Sequence, residues 1–278
     1  MHALSLEILG PAFVAGLLIL ATHVPLGTIV LNRGIIFIDI ALAQVAALGV
    51  VFGNMIWGAG TLWAIQLSAI SAAVGCAMLL TWTDKRYHES QEAIIGVIYI
   101  VAAAVQIVLL SFSPTGSEFL KELLVGQILW VSPRQLMIIG AIYAAVLAVW
   151  YFRDLKKEPL VFYGIFAVVI TASVQVVGIL LVFASLIVPA LATQHVSPRW
   201  RMVVAFNIGA VGYLAGLILS ALLDISSGAA IVCMLALVAL VAASMTARKP
   251  TPATVKQYSP VGGLQDEIEN SLPKTRMA

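Results

Sequence analysis

The chain has 278 residues, of which 62% are hydrophobic and only 10% are charged, and its mean hydropathy is +1.05. Soluble globular proteins carry about 25% charged residues, so this composition excludes a large soluble domain and is typical of a polytopic membrane protein. The formal net charge of +2 gives no reason to expect nucleic acid as a partner.

Apolar segments long enough to cross a bilayer follow one another along most of the chain. A hydrocarbon core about 30 Å thick needs roughly 20 apolar residues in helical form. The N-terminus lacks the basic region of a cleaved signal peptide, so the first apolar run is predicted to be a retained span. The predicted spans are 7–30, 35–56, 60–82, 93–112, 135–152, 160–175, 177–194, 202–222 and 228–246.

The run from Leu160 to Thr193 is too long for one span and short for two. It predicts either two tightly joined helices or one helix and a half-helix, meeting near Gln175–Gly178. The sequence therefore predicts an all-α fold, a transmembrane bundle of eight or nine membrane helices. A short apolar stretch, Leu123–Trp130, is too short to cross and is predicted to lie at the interface or to re-enter the membrane.

The basic residues predict the orientation. With nine crossings and the N-terminus outside, every Lys and Arg except Lys121 and Arg134 falls on the cytoplasmic side, where such residues accumulate. The expected location is the bacterial inner membrane. Residues 1–247 form the predicted transmembrane domain, and the segment 248–278, rich in Pro, Gly and charge, is predicted to be a disordered cytoplasmic tail.

One acidic residue, Asp39, lies deep inside an apolar run. A carboxylate in hydrocarbon costs about 2.5–3.5 kcal/mol on insertion scales, so such a residue usually faces a protein interior, a cavity or an ion. We therefore expect Asp39 to have a functional role. The alternative is a structural residue that forms a hydrogen bond with a neighbouring helix.

Five stretches in a fixed order resemble the permease subunit of ATP-binding-cassette importers for zinc and manganese ions. The resemblance covers most of residues 10–246. Its motifs are PLGTIVLNRG followed by the Asp39 helix, EAIIG at Glu92–Gly96, LLVGQILWVSPRQL at Leu123–Leu136, VGILLVFASLIVPALAT at Val177–Thr193, and DISSG at Asp224–Gly228.

The resemblance implies a transported divalent metal ion, zinc or manganese, and no permanently bound cofactor. It also implies three partners: a cytoplasmic ATPase subunit, an extracytoplasmic metal-binding protein and a second copy of the chain in a homodimer. The chain itself is not expected to be an enzyme, since it has no GxxxxGK[ST] phosphate-binding loop and no nucleophile with a base at suitable spacing.

The metal site of the resembling family has Asp and His one helical turn apart in the second helix, on one face. In this chain those positions hold Ile40 and Gln44, and Asp39 lies one residue early. If the first two helices are antiparallel, His23 lies at a depth similar to that of Gln44. We therefore predict a transient metal site of Asp39, Gln44 and His23. The alternative for His23 is a core histidine bonded to a backbone carbonyl.

Several other residues carry weaker predictions. Glu92 is expected either to belong to an exit path or to be a helix N-terminal charge stabilised by the dipole. The remaining histidines, His2, His88 and His195, are predicted to be solvated. Pro189 inside a span is predicted to kink its helix, as a gate or as scaffold.

The connection FRDLKKEPLV, 152–161, is too short for the helix through which the resembling permeases contact their ATPase. Either the ATPase docks elsewhere, for example on TDKRYHESQE or on the tail, or the chain works without ATP. Two alternatives to a metal importer therefore stay open: an ATP-independent transporter for another cation, and a non-transporting membrane protein.

Overall fold

A computed structural model describes residues 6–58, 61–152 and 158–246. Nine α-helices occupy most of this part of the chain, and a turn of 3₁₀-helix precedes α4 and another precedes α6. The helices are α1 (Leu6–Arg33), α2 (Ile38–Trp57), α3 (Leu62–Arg86), α4 (Gln91–Leu110), α5 (Gly116–Val125), α6 (Pro133–Phe152), α7 (Pro159–Ala192), α8 (Pro198–Leu223) and α9 (Ser227–Thr246).

Eight of these helices are long and apolar enough to cross a membrane, and only α5 is not. The predicted all-α fold is therefore confirmed, and each predicted span lies on one of the eight helices. The bounds of the predicted transmembrane domain, 1–247, stay a prediction. The predicted tail, 248–278, lies outside the described part of the chain.

Helix α7 is two segments joined at Gly178, whose φ of 77° and ψ of 166° leave the helical region. The first segment begins beside the cationic end of α1, where the Arg33 guanidinium lies 4.2 Å from the Phe162 ring centroid. The second returns to the same half of α1, where Gly27 packs against the backbone of Leu186. Both ends of α7 therefore lie at the same end of the bundle, as the alternative of two joined helices predicts.

The break lies eleven residues before Pro189, whose own backbone angles stay helical. Glycine is required at the break because this backbone region is essentially closed to residues with a Cβ. A Cβ at position 178 would also meet the backbone of Gly126 and Val125, which lead out of α5. The sequence located the junction correctly, while the prediction of a kink at Pro189 finds no support in the backbone angles.

The short apolar stretch Leu123–Trp130, which includes the end of α5, does not cross the bundle. The Gln127 N–H donates a hydrogen bond of 3.2 Å to the Val176 carbonyl, just before the break in α7. Leu123 and Leu124 are half-buried against the core, and Ile128 is fully buried. This segment therefore covers the end of the bundle at which α7 reverses.

Candidate functional site

Asp39 lies in the first turn of α2 and its side chain is fully buried. Neither carboxylate oxygen has a side-chain hydrogen-bond partner among the described residues. The sequence placed Asp39 deep inside an apolar run, and in the structure it is one residue inside the start of the helix. There the N-terminal end of the helix dipole favours a negative charge.

A second carboxylate, Glu92, reaches the same helix start from α4. Its Oε1 accepts a hydrogen bond of 3.4 Å from the Phe37 N–H, which immediately precedes α2. Its Oε2 is buried without a partner among the described residues, and the Phe37 N–H that Glu92 binds is two residues before Asp39. Glu92 itself lies in the first turn of α4, which is the position of a helix N-terminal charge, one of the two sequence interpretations. The position of Glu92 near Asp39 could not be predicted from the sequence, because nothing in the residue spacing pairs α2 with α4.

Gln44 also faces α4, where its amide nitrogen donates a hydrogen bond to the Oε1 of Gln106. Both side chains are buried, and the Nε2 of Gln106 has no partner in the described residues. Gln106 was missed at the sequence level. The available signal was a lone polar residue in the apolar span 93–112, a type of residue that usually faces another helix.

His23 is fully buried in α1, and the contacts of its ring lie within that helix. Nδ1 is 3.0 Å from the Ile19 carbonyl and 3.3 Å from the Thr22 hydroxyl. Nε2 is buried without a partner among the described residues. Helix α1 packs mainly on α6, α7 and α8, whereas α2 packs mainly on α3, α4 and α7. The hydrogen bonds therefore join Gln44 to α4 and leave His23 on its own helix.

The donor set around α2 is composed of oxygen and amide groups. Within the part of the chain that the structure describes, no three His, Cys, Asp or Glu side chains are grouped closely enough to hold a metal ion. Two carboxylates and two amides, from Asp39, Glu92, Gln44 and Gln106, offer hard oxygen ligands of the kind that suit manganese, while imidazole suits zinc. Such a sparse set is better suited to brief contact than to permanent coordination.

The other predicted residues lie away from this site. His88 is exposed, and its Nδ1 is 3.0 Å from Asp84 Oδ1. His195 is exposed after the end of α7. These two positions agree with the predicted solvation, and His2 lies outside the described residues. Most of the short connection after α6 also lies outside them.

Comparison with known proteins matches the chain to one family. The profile of the ABC 3 transport family matches two segments, residues 5–158 and 154–246. The two matches meet at 154–158, within the connection between α6 and α7. Together they cover almost all of the chain before the tail.

Curated relatives with similar sequences carry names from metal transport. The manganese transport system membrane protein MntC of Halalkalibacterium halodurans is 25% identical over 250 residues, 82% of this chain and 84% of the relative. The high-affinity zinc uptake system membrane protein ZnuB of Haemophilus influenzae is 24% identical over 247 residues, 81% of this chain and 93% of the relative.

The fold also matches a solved structure. PsaBC from Streptococcus pneumoniae in complex with Fab aligns with a TM-score of 0.67 at 19% identity. The alignment covers 84% of this chain and 90% of the matched chain. At this identity the likeness concerns the arrangement of the helices.

Proposed function

From the premise that this chain belongs to the ABC 3 transport family, we propose that it is the permease subunit of an importer for divalent metal ions, manganese or zinc. The chain is a multi-pass membrane protein, and the names of its relatives include both manganese and zinc transport. It would form the path through the membrane, while ATP hydrolysis would belong to a separate subunit.

The observation that carries the proposal is the fully buried Asp39, whose carboxylate oxygens have no side-chain partner in the described residues. A charged group is costly inside a membrane protein unless it meets an opposite charge, and residues of this kind commonly mark ion pathways. The nearby Glu92 makes the location more negative, so a divalent cation would be stabilised there.

We propose Asp39 as the central residue of a transient metal site, with Gln44 and His23 as further members. Gln44 would contribute an amide oxygen once its hydrogen bond with Gln106 is rearranged. The unpartnered Nε2 of His23 would contribute imidazole if α1 and α2 approach each other during transport. The oxygen-rich set around Asp39 favours manganese over zinc.

The proposed partners are a cytoplasmic ATPase, an extracytoplasmic metal-binding protein and a second copy of this chain. The family match divides at residues 154–158, where the connection after α6 is short. We therefore propose that the ATPase docks on the end of α3 and the connection to α4, which carry exposed Trp82 and Tyr87 beside Lys85 and Arg86. An ATP-independent transporter is the second candidate, favoured by the same short connection.

Metal accumulation tests the proposal. Cells that lack their own manganese and zinc importers would express the chain with its proposed ATPase and metal-binding partners, and accumulation of manganese, zinc and iron would be measured. We expect accumulation of manganese or zinc above that of cells carrying an empty vector, and a reduction with His23→Ala. Accumulation equal to the empty vector for all three metals would contradict the metal-importer function.

ATPase coupling has its own measurement. The tagged chain would be purified from the same cells, and the ATPase that accompanies it would be assayed. We expect an ATPase to co-purify with the chain, and we expect the chain to stimulate its ATP hydrolysis. Metal accumulation that persists without any ATPase would favour the ATP-independent alternative.

A further inference from the structure

A groove between α3, α6 and α7 lies apart from Asp39 and is not used by the proposed metal site. Its volume is about 400 Å³. Most of its walls are apolar, but four polar side chains line it: Gln66, Gln135, Thr171 and Gln175.

Two of these side chains form a reciprocal amide pair. Gln66 Nε2 donates to Gln175 Oε1 at 2.7 Å, and Gln175 Nε2 donates to Gln66 Oε1 at 2.8 Å. Both residues are nevertheless exposed. Polar side chains within membrane helices usually face the interior or a water-filled cavity and avoid lipid. The pair therefore indicates that this groove does not face lipid.

A third polar group independently points into the groove. Thr171 is 6% exposed, and its hydroxyl has no hydrogen-bond partner among the described residues. A threonine in a helix commonly donates to the carbonyl four residues earlier, as Thr193 does to Pro189. The Thr171 hydroxyl instead lines the groove, where it is available to water or to a ligand oxygen.

A second cavity of about 270 Å³ adjoins the first, and the two share Gln135, Gln175 and Val176 as lining residues. It leads to the connection that covers the end of the bundle. There Glu122 Oε1 accepts a hydrogen bond of 2.5 Å from Gln127 Nε2. Glu122 is the charged residue of the lining, and none of the lining residues of the two cavities is basic. A cleft with this sign of charge attracts cations.

The dimensions fit a hydrated ion. The six waters of an octahedral shell occupy roughly 180 Å³ at the density of liquid water. The larger cavity alone exceeds this volume. A cation could therefore enter with its water shell. Amide and hydroxyl oxygens could then replace the waters one at a time.

We propose that this groove is a water-filled vestibule through which a hydrated divalent cation passes from the Glu122 rim, past the Gln66–Gln175 pair, to Thr171. The assignment rests on the proposed function, because that function supplies the cation. In this proposal the hydrogen-bonded amide pair is the constriction of the vestibule. Its opening breaks two neutral hydrogen bonds, which water can replace.

Cysteine accessibility tests the vestibule without requiring transport. In a background with Cys76→Ala and Cys233→Ala, the variants Thr171→Cys and Ala172→Cys would be labelled in intact cells with a charged, membrane-impermeant methanethiosulfonate. The matched control is Leu240→Cys on α9, which is 68% exposed on a different helix and does not line the groove. Reaction requires the thiolate, which forms in water, so we expect at least roughly tenfold faster labelling in the groove than at position 240.

Manganese tests the occupant. Added Mn²⁺ is expected to slow labelling at the two groove positions and to leave labelling at position 240 unchanged. Labelling of both groove variants at the rate of Leu240→Cys would overturn the vestibule, and a rate insensitive to Mn²⁺ would overturn the cation as its occupant. A chain that labels as expected but imports no metal contradicts the proposed function alone, so the two failures are distinguishable.

Discussion

Two glutamine pairs with the same chemistry have opposite surroundings in this protein. Gln44 and Gln106 join α2 to α4 and are almost completely buried. Gln66 and Gln175 join α3 to α7 and are exposed along the groove. The first pair has an amide nitrogen with no partner among the described residues, whereas each amide of the second pair both donates and accepts.

The difference separates a structural contact from one that can open. A buried amide that loses its partner cannot turn to water, so breaking the Gln44 contact costs free energy of folding. An exposed amide exchanges its partner for water at small cost. We therefore expect the first pair to stabilise the bundle and the second pair to affect access to the path more than stability.

The largest effect is expected from Gly178→Ala, at the break in α7 three residues after Gln175. The substitution combines a backbone region closed to alanine with contact against Gly126, and we expect a loss of roughly 2–5 kcal/mol in free energy of unfolding. Unfolding in mixed micelles would measure it. Gly164→Ala in the same helix is the control, because a Cβ there meets nothing within 4 Å. Equal stabilities for the two variants would contradict the break in α7.

A smaller effect is expected from single substitutions in the two pairs. Gln44→Leu leaves Gln106 with a buried amide and should lower the free energy of unfolding by roughly 1–2 kcal/mol. Gln66→Leu should change it by less than about 0.5 kcal/mol, as exposed substitutions usually do. The same micelle titration compares them. Similar losses for both variants would mean that burial does not distinguish the pairs.

The smallest effect is the coupling free energy within each pair. It is obtained from double-mutant cycles in which the two glutamines of one pair are replaced by leucine, singly and together. For Gln44 and Gln106 we expect a coupling of about 0.6–1.7 kcal/mol, between the average and the maximum for hydrogen bonds between membrane helices. For Gln66 and Gln175 we expect less than about 0.5 kcal/mol. A larger coupling for the exposed pair would reverse the comparison.

The fold was largely predictable from the sequence because apolar length alone determines which segments can cross a bilayer. The reversal within α7 was also predicted near Gln175–Gly178, since that run is too long for one span. Gly27, Gly49 and Gly53 each have a neighbouring helix where a Cβ would be, and small residues of this kind mark close helix contacts in a membrane sequence. Each of these features depends on the sequence of a single segment of the chain.

The site was less predictable because it depends on which helices are neighbours. The sequence singled out Asp39, Gln44 and His23 on the first two helices. In the structure, Glu92 of α4 binds the backbone N–H two residues before Asp39, and Gln106 of α4 binds Gln44. The ring of His23 bonds within α1. The spacing of residues in α2 carries no information about which residues of α4 lie beside it. The periodicity of α2 therefore could not predict these partners.

The most direct test of the central claim compares two Asp→Asn substitutions in metal uptake at matched expression. Asp39→Asn removes the buried charge while keeping the shape of the side chain. Asp224→Asn changes an exposed residue at the end of α8, whose left-handed conformation (φ 53°) asparagine readily adopts. We predict that Asp39→Asn lowers manganese uptake roughly tenfold or more, equivalent to about 1.4 kcal/mol per tenfold, and that Asp224→Asn leaves it unchanged. Equal uptake by both variants and the wild type would contradict a path that depends on the Asp39 carboxylate.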